Sequence, residues 1–77
     1  MPVVLRVGPY RFFFYSNESN EPPHIHVRSA GSEAKFWLEP LALAFNYGFG
    51  GPELNSVSRL IQEYHTLFLQ AWNDYFA

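Results

Sequence analysis

Cysteine is absent from this chain of 77 residues. Without thiols, neither disulfides nor zinc sites built from thiolates are available, and a reducing cytoplasm is the expected location. No apolar run approaches the roughly 18 residues that a membrane-spanning helix needs, and no segment has the pattern of a secretory leader. The sequence therefore predicts a cytoplasmic protein with no membrane partner.

Positive charge is also scarce, since five Lys and Arg stand against seven Asp and Glu for a net charge of −2. This balance argues against a broad basic surface for nucleic acid. The charge is uneven, because residues 1–35 carry a net charge of +1 and residues 36–77 a net charge of −3. The N-terminal half is therefore the part suited to an anion.

Aromatic residues are what the chain has in excess, with eight Phe, five Tyr and two Trp. Each buries roughly 150 to 250 Å² when packed, so a chain of this length can still build a dense core. We expect one domain over residues 1–77, with apolar surface left over for a partner or for a second copy of the chain.

Strand-forming segments predict a small antiparallel sheet of about four strands, at residues 3–7, 10–15, 24–29 and 33–39. Gly8 and Pro9 separate the first two segments, and Pro40 ends the fourth. Residues 41–46 are expected to form one or two helical turns, which Gly48 ends.

A single long amphipathic helix is predicted for the C-terminal part. Pro52 is suited to a first helical position, and apolar residues then recur at spacings of three and four as far as Tyr75. The predicted fold is α+β, with the order β-β-β-β-α and the helix packed on one face of the sheet.

The segment Pro22-Pro23-His24-Ile25-His26 carries the leading candidate site. Alternate side chains of a strand share a face, so His24 and His26 should lie together on the face opposite Ile25. If residues 29–32 connect two strands of a hairpin, three cross-strand pairs follow on the face of the histidines: Arg28 with Glu33, His26 with Lys35, and His24 with Trp37.

This polar face has the groups for acid–base chemistry on phosphate esters, in which two imidazoles exchange protons and a cation stabilises developing charge. The candidate catalytic residues are His24, His26, Arg28, Glu33 and Lys35. The candidate substrate-binding residues, which would stack or pair with RNA, are Tyr15, Trp37 and Arg11. The competing interpretation is that the histidines are hydrogen-bonding residues that cap the preceding loop or lie in an interface, and that Arg11 is an ordinary sheet-face cation.

A metal site is the third interpretation of the same pair. His24 and His26 can supply two ligands, but the local sequence does not identify a third; Glu33, Glu21 and the more distant His65 are the candidates. Because His-x-His spacings often arise by chance, the prediction is that no metal and no cofactor is bound, with His24 and His26 as the alternative ligand pair.

Three longer blocks resemble a known bacterial family: residues 10–18, residues 20–27 and residues 33–38. The chain is similar over its whole length to the family of domain of unknown function DUF4160. The resemblance implies a small partner protein encoded by an adjacent gene, in a toxin–antitoxin pair with this domain as the toxin. The sequence differs from the family pattern in two places. Residues 41–45, after Pro40, are more apolar, and the helix carries less charge.

Two functions are therefore expected from the sequence. In the first, the chain is a toxin that acts on RNA through the His24/His26 face and is neutralised by its partner. In the second, it is a non-catalytic protein-binding module that functions only in complex with that partner.

Overall fold

The computed structural model describes residues 3–76, which form a five-stranded antiparallel sheet and two helices. The strands are β1 (Val3–Val7), β2 (Tyr10–Phe13), β3 (His24–Ser29), β4 (Ser32–Leu38) and β5 (Leu41–Tyr47). The helices are α1 (Gly51–Glu63) and α2 (His65–Phe76). The order of the strands across the sheet is their order along the chain. The α+β class and the antiparallel sheet are as predicted, but the numbers of strands and helices differ.

One face of the sheet carries the core. Its strand residues alternate as a pleated strand requires, and the side chains that face the helices are Phe12, Ile25, Val27, Ala34, Phe36 and Leu38. The helices contribute Val57, Ile61, Phe68 and Trp72. Phe14 and Phe49 complete the cluster of buried side chains. No described helix is long and apolar enough to cross a membrane.

The prediction of helical turns after Pro40 is wrong, because this segment is the fifth strand. β4 and β5 are joined by a tight turn at Glu39 and Pro40, and Leu38 pairs with Leu41 at its base. The Leu and Ala of this segment favour a helix locally, but six residues are too few to hold one. The turn places the chain beside the edge of β4, whose backbone groups need partners, and the pairing with β4 overrides the local preference.

The prediction of a single long helix is also wrong, because the helix is interrupted at Tyr64. This residue has φ −102° and ψ 19°, and it separates α1 from α2. Beside it, the His65 Nε2–H donates to the carbonyl oxygen of Leu38 at 2.5 Å and ties the junction to the end of β4. The buried stripe continues from Ile61 to Phe68 across the junction. Apolar spacing alone therefore could not show the interruption.

Candidate functional site

The polar face of the sheet is arranged around the hairpin of β3 and β4. Its register is the one predicted, with the cross-strand pairs His24–Trp37, His26–Lys35 and Arg28–Glu33. The turn is tighter than expected, because Ser29 already pairs with Ser32 and only Ala30 and Gly31 connect the strands.

Glu18 is the functional residue that the sequence interpretation missed. It lies in the loop between β2 and β3, and its Oε1 atom accepts hydrogen bonds from Nε2 of His24 and Nε2 of His26, each at 2.8 Å. β2 and β3 are adjacent antiparallel strands that a two-residue turn could join, yet residues 14–23 connect them. A connection of this length must fold back over the sheet. The position of Glu18 near its centre was therefore the one signal in the sequence that this acid could reach the histidines.

His24 is fully buried and held at both ring nitrogens. Its Nδ1 atom lies 2.9 Å from the carbonyl oxygen of Pro22, and its Nε2 atom bonds to Glu18. A carbonyl and a carboxylate oxygen are both acceptors, so each ring nitrogen of His24 faces a hydrogen-bond acceptor. His24 and Glu18 therefore depend on each other, since removing either member would leave the other without its partner.

Two tryptophan rings enclose His24. The ring centroid of Trp37 on β4 lies 5.7 Å away, and that of Trp72 on α2 lies 4.7 Å away. The apolar side of the domain therefore reaches the candidate site at the start of β3, where His24 is shielded from solvent.

His26 is 5% exposed and has one ring nitrogen without a partner. Its Nδ1 atom makes no hydrogen bond within residues 3–76 and lies 3.6 Å from Oε2 of Glu33. The ring stacks on Phe13 at 5.4 Å and meets the edge of Tyr15 at 4.6 Å. Burial lowers the pKa of His26, and the hydrogen bond to Glu18 offsets only part of that effect.

The carboxyl group of Glu18 responds to both histidines. Burial is the largest single effect and raises its pKa, but the hydrogen bonds from His24 and His26 and the electrostatic interaction with both rings together lower it by more, so the pKa lies below its ordinary value. Glu18 is therefore an anion at neutral pH, as its role as acceptor requires.

A second group of polar side chains is built on Glu33. Arg28 donates to Oε1 of Glu33 from Nη2 at 2.6 Å and from Nε at 3.1 Å, and the Tyr15 hydroxyl donates to Oε2 at 3.0 Å. The hydrogen bond to Glu33 raises the pKa of Arg28, and burial followed by the bond to Glu33 raises the pKa of Tyr15. Glu33 is therefore fixed in position beside His26.

Lys35 is engaged with the covering loop. Its ammonium group forms an ion pair with Glu21 and lies 4.6 Å from the ring centroid of Trp37. The loop is thus attached to the polar face at two acidic residues, Glu18 through the histidines and Glu21 through Lys35.

Two of the sequence candidates lie outside this cluster. Arg11 on β2 pairs with Arg28 across the strands, and its guanidinium lies 5.9 Å from the ring centroid of Phe13. His65 is bonded to Leu38 and supplies no third ligand. The third residue that meets His24 and His26 is Glu18 in place of Glu33, Glu21 or His65, because the loop brings it between the two rings.

Comparison with known proteins identifies the family to which the chain belongs. No curated protein matches the chain, and no solved structure matches it. A family model described as a domain of unknown function, DUF4160, matches residues 10–73, a range that contains Glu18, both histidines, Glu33 and most of the two helices. The chain therefore belongs to the DUF4160 family.

Proposed function

We propose that this domain is a non-catalytic binding module that works in complex with a small partner protein, as one component of a bacterial toxin–antitoxin pair in the cytoplasm. The observation that carries the proposal is the exposed outer edge of β5. Leu43 is 48% exposed, Phe45 is 47% exposed and Tyr47 is 68% exposed. A strand at the edge of a sheet also presents unpaired N–H and C=O groups to whatever lies beside it.

The two edges of the sheet differ in how they are protected. β1 has five residues, includes Arg6 and has an irregular register between Val3 and Leu5. β5 has seven residues and includes neither a charge nor a proline. Charges, short length and irregularity are the usual means by which an edge is kept from pairing. β5 also has an irregular register, opposite Lys35 and Phe36, but it is longer than β1 and carries no charge, so this edge is the one better suited to an added strand.

The occupant that fits this edge is an extended strand of the partner protein. Main-chain hydrogen bonds to β5 would supply affinity, and apolar side chains of the partner would cover Leu43 and Phe45. Residues 36–77, which include β5 and both helices, carry a net charge of −3, so basic residues flanking the partner strand would complement the surroundings.

Co-expression with the protein encoded by the adjacent gene tests this proposal. We expect the two proteins to purify together, and we expect the variant Leu43→Lys/Phe45→Lys to lose the partner because charge blocks the edge. Val3→Lys is the matched control, since Val3 is also exposed but lies on β1. A complex that survives Leu43→Lys/Phe45→Lys would overturn the proposal. A dimer of the chain alone that the same variant dissociates would also overturn it, in favour of self-pairing.

The competing function is a toxin that cleaves RNA through His24 and His26. It requires the imidazoles to meet a substrate, yet they are 0% and 5% exposed and both are bonded to Glu18. The loop of residues 14–23 would have to leave the polar face first. Burial of these rings is the reason that the binding module is the better supported of the two functions.

Growth of bacteria that express the chain alone separates the two functions. We expect no arrest of growth from the wild-type chain at good soluble yield. Arrest by the wild-type chain, together with normal growth on the variant His24→Ala/His26→Ala at a matched soluble level, would favour the toxin that acts through the imidazoles.

A further inference from the structure

Three side chains from two parts of the chain converge within the polar face. The Nε2 atoms of His24 and His26 both lie 2.8 Å from Oε1 of Glu18, and the ligand atoms of the three residues all lie within 4.8 Å of one another. We propose that Glu18, His24 and His26 form a binding site for a divalent transition-metal ion, with Zn²⁺ as the ion that fits best. The proposal is independent of the function of β5.

The local geometry of β3 produces the convergence. His24 and His26 are two positions apart on one strand and share a face, and their rings stand at 83° to each other with centroids 5.2 Å apart. Each ring turns its Nε2 atom toward the same point. Two imidazoles and one carboxylate are a ligand set found in zinc enzymes, where a water or substrate fills the remaining position.

The Nδ1 atom of each histidine, on the opposite side of the ring from Nε2, faces an oxygen of the kind that orients a metal-bound histidine. Ligand histidines donate their other N–H to a carbonyl or a carboxylate, which fixes the tautomer and the ring orientation. The Nδ1 atom of His24 faces the Pro22 carbonyl at 2.9 Å, and the Nδ1 atom of His26 faces the Glu33 carboxylate at 3.6 Å. Glu33 is in turn held by Arg28 and Tyr15.

An ion would also satisfy the buried nitrogen of His26 that has no partner. When Nε2 of His26 donates to Glu18, a neutral ring has no hydrogen on Nδ1, and that atom makes no hydrogen bond within residues 3–76. With a metal ion on Nε2, the hydrogen resides on Nδ1, where it points toward Glu33. With the ion on Nε2 of His24, the hydrogen on its Nδ1 atom would donate to the carbonyl oxygen of Pro22.

A small movement of the loop is sufficient to admit the ion. At metal–ligand distances of about 2.0 to 2.2 Å, neighbouring ligands of a tetrahedral ion lie about 3.3 to 3.6 Å apart, so Glu18 would retreat by about 0.5 to 0.8 Å from each ring. Glu18 belongs to a loop and its side chain is 19% exposed, so it has room to move. Imidazole ligands favour transition metals over Mg²⁺ and Ca²⁺, which prefer oxygen.

Tryptophan fluorescence gives a direct test, because the chain has two Trp residues and both rings lie within 5.7 Å of the His24 ring. Paramagnetic Co²⁺ bound at the site should quench both residues, whereas Zn²⁺ has a filled d shell and should not. We expect Co²⁺ alone to quench the purified full chain with saturation at one equivalent, and we expect added Zn²⁺ to restore the emission.

Variants of the ligands and of their neighbours complete the test. We expect Glu18→Gln and His26→Gln to weaken Co²⁺ binding at least tenfold, and Glu33→Gln to weaken it by about 10-fold to 100-fold as an outer partner. The matched controls are Glu53→Gln and His65→Gln, which should bind as the wild type does. Circular dichroism of each variant checks that it is folded.

Two results would overturn the metal site. The first is quenching that does not saturate at one equivalent or that Zn²⁺ fails to reverse. The second is equal Co²⁺ affinity in the wild type and in folded Glu18→Gln or Glu33→Gln. If the histidine variant fails to fold, those two carboxylate variants decide the question, because neither changes a ring of the buried cluster.

Discussion

Oε1 of Glu18 lies 2.8 Å from Nε2 of His26, so a residue of the loop between β2 and β3 closes the polar face of the sheet. The same oxygen accepts from His24, which makes Glu18 the shared acceptor of two buried rings. The loop is consequently part of the folded structure, and its sequence should matter for stability as well as for any ligand.

Replacing Glu18 should therefore destabilise the protein. We expect Glu18→Ala to lower the free energy of unfolding by about 2 kcal/mol, because two buried ring nitrogens lose their acceptor. Glu21→Ala is the control, since Glu21 pairs with Lys35 nearer to solvent and its loss should cost less than about 1 kcal/mol. Urea unfolding measures both values, and equal effects of the two changes would contradict the assignment.

The turn between β3 and β4 includes a residue that is poorly suited to its backbone. Ala30 has φ +53°, a conformation that residues with a Cβ atom rarely adopt. We expect Ala30→Gly to raise the free energy of unfolding by about 0.5 kcal/mol, the relief of strain exceeding the entropy gained by the unfolded chain. A loss of stability on thermal unfolding would show that Ala30 is not strained.

Gly48, between β5 and α1, should tolerate no side chain. It has φ +98°, and a Cβ atom there would lie 2.6 Å from Oγ of Ser32. We expect Gly48→Ala to lower the free energy of unfolding by about 2 kcal/mol through backbone strain and this contact. Gly51→Ala is the control, because nothing lies within 4 Å of its Cβ position and alanine favours the helix that begins there. The two changes should move the melting temperature in opposite directions.

The second helix should contribute to stability through its buried residues. Phe68 is fully buried against Phe12, with ring centroids 5.1 Å apart, whereas Leu67 is 44% exposed. We expect Phe68→Ala to cost about 3 to 5 kcal/mol and Leu67→Ala to cost less than about 1 kcal/mol. Similar costs for both changes would mean that α2 does not pack as described.

The hairpin of β3 and β4 was predictable because its signals agree with one another. Alternation places Ile25 and Val27 on one face and the two histidines on the other, and a short connection then determines the register. The face and the pairs therefore follow from periodicity and turn length alone.

The remaining features depend on contacts that periodicity does not encode. Glu18 lies in a loop whose conformation follows no repeating pattern. Only the length of that loop indicated that Glu18 could form hydrogen bonds with the histidines. β5 forms because β4 offers a partner edge, against the helical preference of its Leu and Ala residues. The junction at Tyr64 lies beside a bond from His65 to Leu38, a contact across 27 positions of the chain.

The sequential strand order has a consequence for how the chain folds. Each strand pairs with the one made just before it, so every new pairing closes a short segment; the longest of them is the connection at residues 14–23. Short closures cost little chain entropy, and sheets built from near neighbours form faster than those with distant pairings. Within residues 3–76, no strand follows β5 to cover its outer side, so hairpins can form in order from β1 while the edge at β5 stays available.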